Sequence, residues 1–508
     1  MSLNGMKRHL SSIFIMLLFL STGFFSTAYA QTLCTKNKRA IELYTDADNF
    51  RVHGRYAEAA DILRKAIEKD RGFCEAYYRL ALVLRAERNF SGAKTELENG
   101  LAQTTDPKKQ KIFYFELGDL LLLSGAYKSS LDYLDKFLKI EITNKIKITE
   151  AQRLRTNCVY ALGHVVDIPI EPMPLSDTVN CFQMQYFPVL TADEQQLFFT
   201  RRNGSSDRDT EDLVVSIKDS KGRFQKPVSI SAEINTPENE GTCTVSADGR
   251  QIIFTSCRGR SGFGNCDLFE SHLTGNNWSE PVNLGAKVNS YAWESQPSLS
   301  ADGRVLFFVS DRKGGVGGRD IYRAEKDTEG NWMQAKNLGS GINTRYDEIS
   351  PFIHANGRTL FFASNGFPGF GGYDVYQSVW QDSLWNAPVN FGSPVNNHED
   401  QFSMFISADG AKAYYSHEEL GKQNNSRIYT LLIPEQLRIK QYSTSLSGVV
   451  TDAKSGKSLK AKIELIDLSS HNLVSEVFSD SVNGKYLMVL TRGASYGLFV
   501  SCPGYLYK

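Results

Sequence analysis

Residues 300–322 read Ser300-Ala-Asp-Gly-Arg-Val-Leu-Phe-Phe-Val-Ser310, then a glycine-rich turn, then Asp320-Ile-Tyr322. Nearly the same phrase occurs five times between Tyr186 and Tyr429. Its pivot recurs as Asp193, Asp248, Asp302, Asn356 and Asp409, at spacings of 55, 54, 54 and 53 residues. Self-similarity at a fixed period marks a repeat architecture, in which each copy is one supersecondary unit stacked on the next.

Every copy has the same internal order. A short strand (295–299 in the quoted copy) leads into an Asp-Gly turn, here Asp302-Gly303. Next comes a run apolar on both faces: Leu197-Phe198-Phe199, Ile252-Ile253-Phe254, Leu306-Phe307-Phe308, Leu360-Phe361-Phe362 and Ala413-Tyr414-Tyr415. Such a strand must be covered on both sides. A third strand follows at 267–269, 320–322, 374–376 and 427–429. Trp278, Trp332 and Trp385 are expected to mark a fourth, ahead of Asn283, Asn337 and Asn390. Four strands per copy means one blade each. The pattern resembles the WD-type propeller repeats of periplasmic TolB-like proteins and of OmpA-associated envelope proteins. That resemblance implies a five- or six-bladed β-propeller over 166–435, with Ile168 to Asn180, the tail of a repeat, completing a blade at the ring junction.

Residues 35–165 repeat at a helix-pair period. Leu43, Tyr44 and Ala47 are followed 34 residues on by Tyr77, Tyr78 and Ala81, and Tyr56, Ala59 and Ala66 by Phe90, Ala93 and Gly100. A third copy carries Phe115, Gly118, Tyr127, Ser130 and Phe137. Small residues let paired helices approach while aromatics fill the gap to the next pair. The segment resembles tetratricopeptide (TPR) repeats, with 149–164 as a capping helix. The resemblance implies an α-solenoid whose concave groove binds a peptide or protein; the plain alternative is a spacer packed on the next domain.

Past 444 the pattern changes again. Alternation over Ala461-Lys-Ile-Glu-Leu-Ile-Asp467 predicts a strand with one buried face, and Asn483-Gly484 and 496–500 add a turn and a further strand. Residues 444–508 resemble the carboxypeptidase regulatory-like module, a transthyretin-like β-sandwich, incomplete at Lys508. The fold expected is therefore multidomain α + β. The three modules together resemble one envelope family that includes the PorE-type component of the type IX secretion system. There an OmpA-like peptidoglycan-binding domain follows the sandwich. This sequence carries none, so murein anchoring maps onto no residue here, and the expectation is a truncated chain or a member that lost its anchor.

Lys7, Arg8 and His9, an apolar run over 13–25, and Ala28-Tyr29-Ala30 form the three parts of a secretory signal, with cleavage after Ala30. An exported protein follows from it, and the envelope-family resemblance implies a periplasmic, outer-membrane-associated place. Export permits disulfides. Cys257 and Cys266 bracket one loop and form the first candidate pair; Cys34 and Cys74 form the second. No CxxC or Cys/His spacing suggests zinc.

Lys+Arg and Asp+Glu both number 57, so no field favours nucleic acid. The eight histidines show no HExxH spacing, and no Gly-x-Ser-x-Gly elbow is present. No catalytic residue, cofactor or metal ligand is expected. Gly314–Gly318 and Gly369–Gly372 read as turns needing positive φ, not as phosphate cradles, because strands follow them. Glu238, Glu240, Asp347, Glu348, His398, Glu399 and Asp400 fall at equivalent repeat positions, which favours structural hydrogen bonding over acid–base chemistry. The function expected is a non-enzymatic scaffold that holds envelope or secretion-system proteins through the groove and the propeller face. Peptidoglycan would enter only through a further C-terminal domain. A carbohydrate-binding or sensor propeller is the alternative, and a glycosidase or lyase with its site in the central channel a lesser one.

Overall fold

The computed structural model describes residues 33–165, 170–202, 204, 209–418 and 425–505. The predicted signal segment with Ala30, and Ile168, lie outside the described residues. Seven α-helices occupy the first stretch: α1 (Lys38–Val52), α2 (Tyr56–Lys69), α3 (Cys74–Ala86), α4 (Phe90–Ala102), α5 (Pro107–Leu122), α6 (Tyr127–Ile140) and α7 (Lys145–His164). Asn37, Asn89, Asp106 and Asn144 each accept a bond from a first-turn backbone N–H. These caps satisfy donors that a helix leaves orphaned. The cap at Asn144 starts α7 four residues ahead of the predicted 149.

Small residues set the helix spacing, as the period requires. A Cβ on Gly100 would lie 2.5 Å from a Phe113 ring carbon, and one on Gly118 would lie 2.7 Å from the Leu134 side chain. Ala47, Ala59, Ala81 and Ala93 are buried in one core with Leu63, Phe113 and Leu117.

The strand-rich domain is built from five four-stranded antiparallel units, one per repeat. Unit three is typical: Glu294–Leu299, Val305–Ser310, Asp320–Glu325 and Lys336–Asn337 pair in that order. Unit five takes Phe405–Ile406, Lys412–Glu418 and Ser426–Leu432 from its own repeat. Its outermost strand is Met173–Pro174, which precedes unit one in sequence and pairs with Tyr429 and Thr430. Units one and five merge into one eight-stranded sheet through the single parallel pair Met184–Ser426. First strands of successive units sit side by side: Gln296 N donates to Thr242 Oγ1 at 3.0 Å, and Ser350 N to Gln296 Oε1 at 2.7 Å. The doubly apolar runs form the buried second strands. Phe199, Phe254 and Phe308 are fully covered, each contributing roughly 1.5–3 kcal/mol by burial.

The fourth strand is not where the tryptophans predicted it. Trp278 and Trp385 lie on short returns that pair with the end of the third strand. The fourth strands are Val282–Asn283, Lys336–Asn337 and Val389–Asn390. Pro281 and Pro388 intervene, and a proline cannot donate to the ladder.

Residues 443–501 form two small antiparallel sheets. One pairs Ser443–Val449 with Lys485–Thr491; the other holds Lys462–Asp467 between Leu473–Phe478 and Tyr496–Ser501. Ile463, Leu465 and Met488 are the buried centre between them.

The two flanking domains attach at opposite ends of the strands. Helix α7 packs on the loop joining the second and third strands of unit four: Arg153 Nη1 donates to Asn365 O, and Asn157 Nδ2 to Gly371 O. Asn157 Oδ1 accepts from Gly369 N at 3.2 Å, and Tyr160 meets Phe370 edge-on. The C-terminal domain instead meets the turns at the other end. Asp480 accepts from Arg250 Nη2 and from Gly275 N, and Asn356 Nδ2 donates to Gln441 O at 2.7 Å.

Candidate interaction surfaces

The odd-numbered helices share one face, on which Asp48, Leu82 and Asp119 occupy equivalent positions of α1, α3 and α5. Charges on it pair between neighbours. Arg79 Nη1 reaches Asp48 at 2.6 Å and lies over the Tyr44 ring at 3.6 Å. Arg85 bridges Glu116 at 3.1 Å and Asp119 at 2.5 Å. Lys147 of α7 continues the series over the Phe115 ring. Burial pushes the Glu116 carboxyl and the Tyr78 hydroxyl up, and pushes the Lys147 ammonium down. The face is thus a half-buried strip of paired charges and aromatic rings, with Leu82 between the two ion-pair groups. It offers shape and mixed polarity to a partner, with no net charge to capture.

In the strand-rich domain the five first strands converge on an axis. Residues 187–189, 242–244, 296–298, 350–352 and 403–405 line it, one triplet per unit, around a cavity of about 40 Å³. That is room for a few water molecules, and too little for a sugar ring.

Four of the carboxylates singled out from the repeats hold backbone, whereas Glu238 and Glu399 engage through their backbone N–H, to Thr236 Oγ1 and Asn397 Oδ1. Glu240 accepts from Thr236 N and Ser256 Oγ, and Glu348 from Thr344 N and Ser364 Oγ. Asp347 accepts from Arg319 N, and Asp400 from Tyr373 N. Burial raises Glu348 to about 7; Glu294, its equivalent in unit three, has Arg312 Nη2 at 3.0 Å.

The glycine loops wrap around carboxylates of their own units. Asp267 accepts from Phe263 N, Gly264 N and Asn283 Nδ2, and Asp320 from Val316 N, Gly317 N and Asn337 Nδ2. The N–H groups a phosphate would need are therefore already occupied. A Cβ on Gly315 or Gly369 would overlap Asp320 or Asp374. Only Gly314 of the two quoted loops takes a positive φ, +90°, so close approach and not backbone handedness demands most of these glycines. In unit four, Asp374 keeps Phe370 N and Gly371 N but Oδ1 lacks a partner, and burial raises it to about 7.

Cys257 and Cys266 are disulfide-bonded across the hairpin loop of unit two, Cα atoms 4.2 Å apart. Cys34 and Cys74 are also bonded, Cα atoms 5.9 Å apart, tying the segment before α1 to the start of α3. Among the described residues, the one grouping of three possible metal ligands is Cys34, Cys74 and Glu75, whose two sulfurs the disulfide consumes. No described helix is long and apolar enough to cross a membrane.

Three features escaped the sequence reading. One is an asparagine at positions 180, 235, 289, 343 and 396, whose side-chain amide bonds both N–H and C=O of a third-strand residue: Ile428, Leu213, Leu268, Ile321 and Val375. Its 53–55-residue spacing was a signal in plain view. The others are Asn157 and Asp480, single residues at interdomain contacts, for which no local pattern exists.

No protein-family model and no curated protein matches the chain. Solved structures give partial likenesses. The first TPR domain of Spaghetti (RPAP3), bound to the HSP90 peptide SRMEEVD, is 16% identical over 26% of this chain and 98% of its own, TM-score 0.23. The Yersinia enterocolitica type III secretion chaperone SycD, in complex with a peptide of the translocator YopD, is 19% identical over 24% and 91%, TM-score 0.21. The α-L-arabinofuranosidase PaAbf62A of Podospora anserina is 10% identical over 52% and 94%, TM-score 0.35. Scores this low transfer no function.

Proposed function

We propose that this chain is a non-enzymatic periplasmic scaffold that binds envelope or secretion-system proteins. In this reading the helices are TPR repeats, the strand-rich domain is a five-bladed WD-type propeller, and the C-terminal sheets are a carboxypeptidase regulatory-like sandwich. The observation that carries it is the attachment of helical and C-terminal domains to opposite strand ends, with α7 and Asp480 as fixed contacts. A spacer with one binding array on one side and a second module on the other suits bridging.

The glycosidase reading loses support from the 40 Å³ axis and from the backbone hydrogen bonds that occupy Glu240, Asp347, Glu348 and Asp400. Membership of the type IX secretion apparatus is part of the proposal, resting on the module order alone.

A photo-crosslinking residue at Leu82, on the shared helical face, tests the protein-binding claim in cells. The expected result is a discrete adduct with an envelope protein, absent when the crosslinker replaces Lys94 on α4. Equal labelling from both positions, or none from Leu82, would remove the helical face as the contact. N-terminal sequencing of the exported protein, expected to begin at Gln31, tests the compartment.

A further inference from the structure

Between the strand-rich domain and the C-terminal domain lies a cleft that the scaffold reading does not use. Its larger part, about 420 Å³, has walls from both domains, among them Asp248, Arg250, His272, Asp302, Lys460 and Glu476. A second part of about 210 Å³ adjoins it, sharing Ala301 and Asp302, and is walled by Trp380, Trp385, Arg323, Asn356, Val474 and Ser475. Sites for small molecules commonly fall between about 300 and 1,000 Å³ and favour domain boundaries.

The chemistry of the two parts differs in a useful way. Trp380 and Trp385 are half-buried, their rings 5.2 Å apart and tilted at 62°. They offer indole surface, with the Arg323 guanidinium carbon over the Trp380 ring at 5.7 Å from its centre. Asp248 and Asp302 spend Oδ1 on their own turns, accepting from Ser246 Oγ and Arg250 N, and from Arg304 N. Among the described residues no hydrogen bond reaches either Oδ2. Lys460 has no ion-pair partner among them. Indole surface in a corner between two tilted rings, next to hydroxyl-accepting carboxylates and with donors of both kinds nearby, matches a pyranose. Its C–H face lies on an aromatic ring while its hydroxyls bridge to charged groups.

We propose that this interdomain cleft binds a short neutral or amino-sugar oligosaccharide, one ring against the Trp380–Trp385 indoles and the next between Asp302 and Lys460. Arg250–Asp480 and Asn356–Gln441 hold the two walls together, so the site exists only while the domains are docked. The proposal does not rest on the protein-scaffold reading: a Leu82 adduct and glycan binding can each be present without the other.

The test applies the full chain to an array of immobilised neutral, amino-sugar and acidic oligosaccharides, with thermal melts on every variant. The expected result is retention on at least one neutral or amino-sugar ligand, weakened tenfold or more by Trp380→Ala and by Asp302→Ala. Ser475→Trp fills the cleft from the other wall and should abolish retention while leaving both indoles in place. Trp278→Ala, outside the cleft, should bind as the parent does. Retention on no ligand, retention on acidic glycans alone, or equal retention by Trp380→Ala and Ser475→Trp would overturn the proposal.

Discussion

At the scale of single residues, buried carboxylates give this protein a pH signature. Glu348 and Asp374 stand at about 7 when folded, through burial, against ordinary values of 4.5 and 3.8. The folded chain therefore holds two protons between about pH 4 and 7 that the unfolded chain releases, and stability falls as pH rises through that window. The effect is about 3–4 kcal/mol for each group at most. Glu270 works oppositely: burial opposes its charge, but bonds to His272, Lys326 and Trp332 hold it at about 2. Its contribution is lost only below about pH 4.5, more acid than the pH 5–8 range of the melting test. Glu348→Gln should flatten the dependence of thermal melting between pH 5 and 8. Gln401 shows that the amide fits, since it accepts from Asn397 N and donates to Asn397 Oδ1 in the same place of unit five. A melting curve as steep as the parent's would show that Glu348 is ionised throughout. The Cys34–Cys74 bond closes a loop with 40 residues of sequence separation, worth about 4 kcal/mol in the chain-entropy account. Cys34→Ser should lower the unfolding midpoint of the helical array in denaturant by a comparable free energy, with little change in the strand-rich domain.

At the scale of elements, one asparagine per repeat ties each connecting segment to the third strand. Asn180 is the instance that ties the segment ahead of unit one to unit five, bonding Ile428 N at 2.8 Å and Ile428 O at 3.0 Å beside Met173–Pro174. Removing the amide strands two backbone groups, at about 1–3 kcal/mol each if they stay dry. Asn180→Ala should speed amide exchange across 426–432 and 184–190 while leaving unit three unchanged. Exchange confined to the helices would show that this junction is held elsewhere. The same scale explains why the helix pairs were legible early: a 34-residue spacing of alanines and glycines has one physical use, close helix approach. The misplaced fourth strand has the opposite cause. A tryptophan is a good strand residue, but whether it sits on a hairpin return or an outer strand depends on which ladder claims it, and Pro281 and Pro388 end that run first.

At the scale of the whole molecule, domain placement hangs on few contacts. Asp480 is fully buried and takes Arg250 and Gly275 N from unit two, with Val482 packed at Gly275. Removing it leaves the part-buried Arg250 guanidinium with Leu273 O as an acceptor and strands Gly275 N, a loss of about 1–3 kcal/mol. Asp480→Ala should release the C-terminal domain, seen as a larger radius of gyration in solution scattering and faster proteolysis across 433–442. An unchanged scattering profile would mean that Gln441 and its neighbours hold the joint alone. The order of modules, the repeat length, the doubly covered second strands and the cysteines flanking the unit-two loop were all readable in the amino-acid sequence, because each is enforced by local periodicity and by burial repeated many times. Tertiary structure alone decided that Met173–Pro174 closes unit five, and that helices and C-terminal sheets take opposite strand ends. Those outcomes depend on groups hundreds of residues apart meeting once, as Asn157 meets Gly371, and a contact made once leaves no period to read.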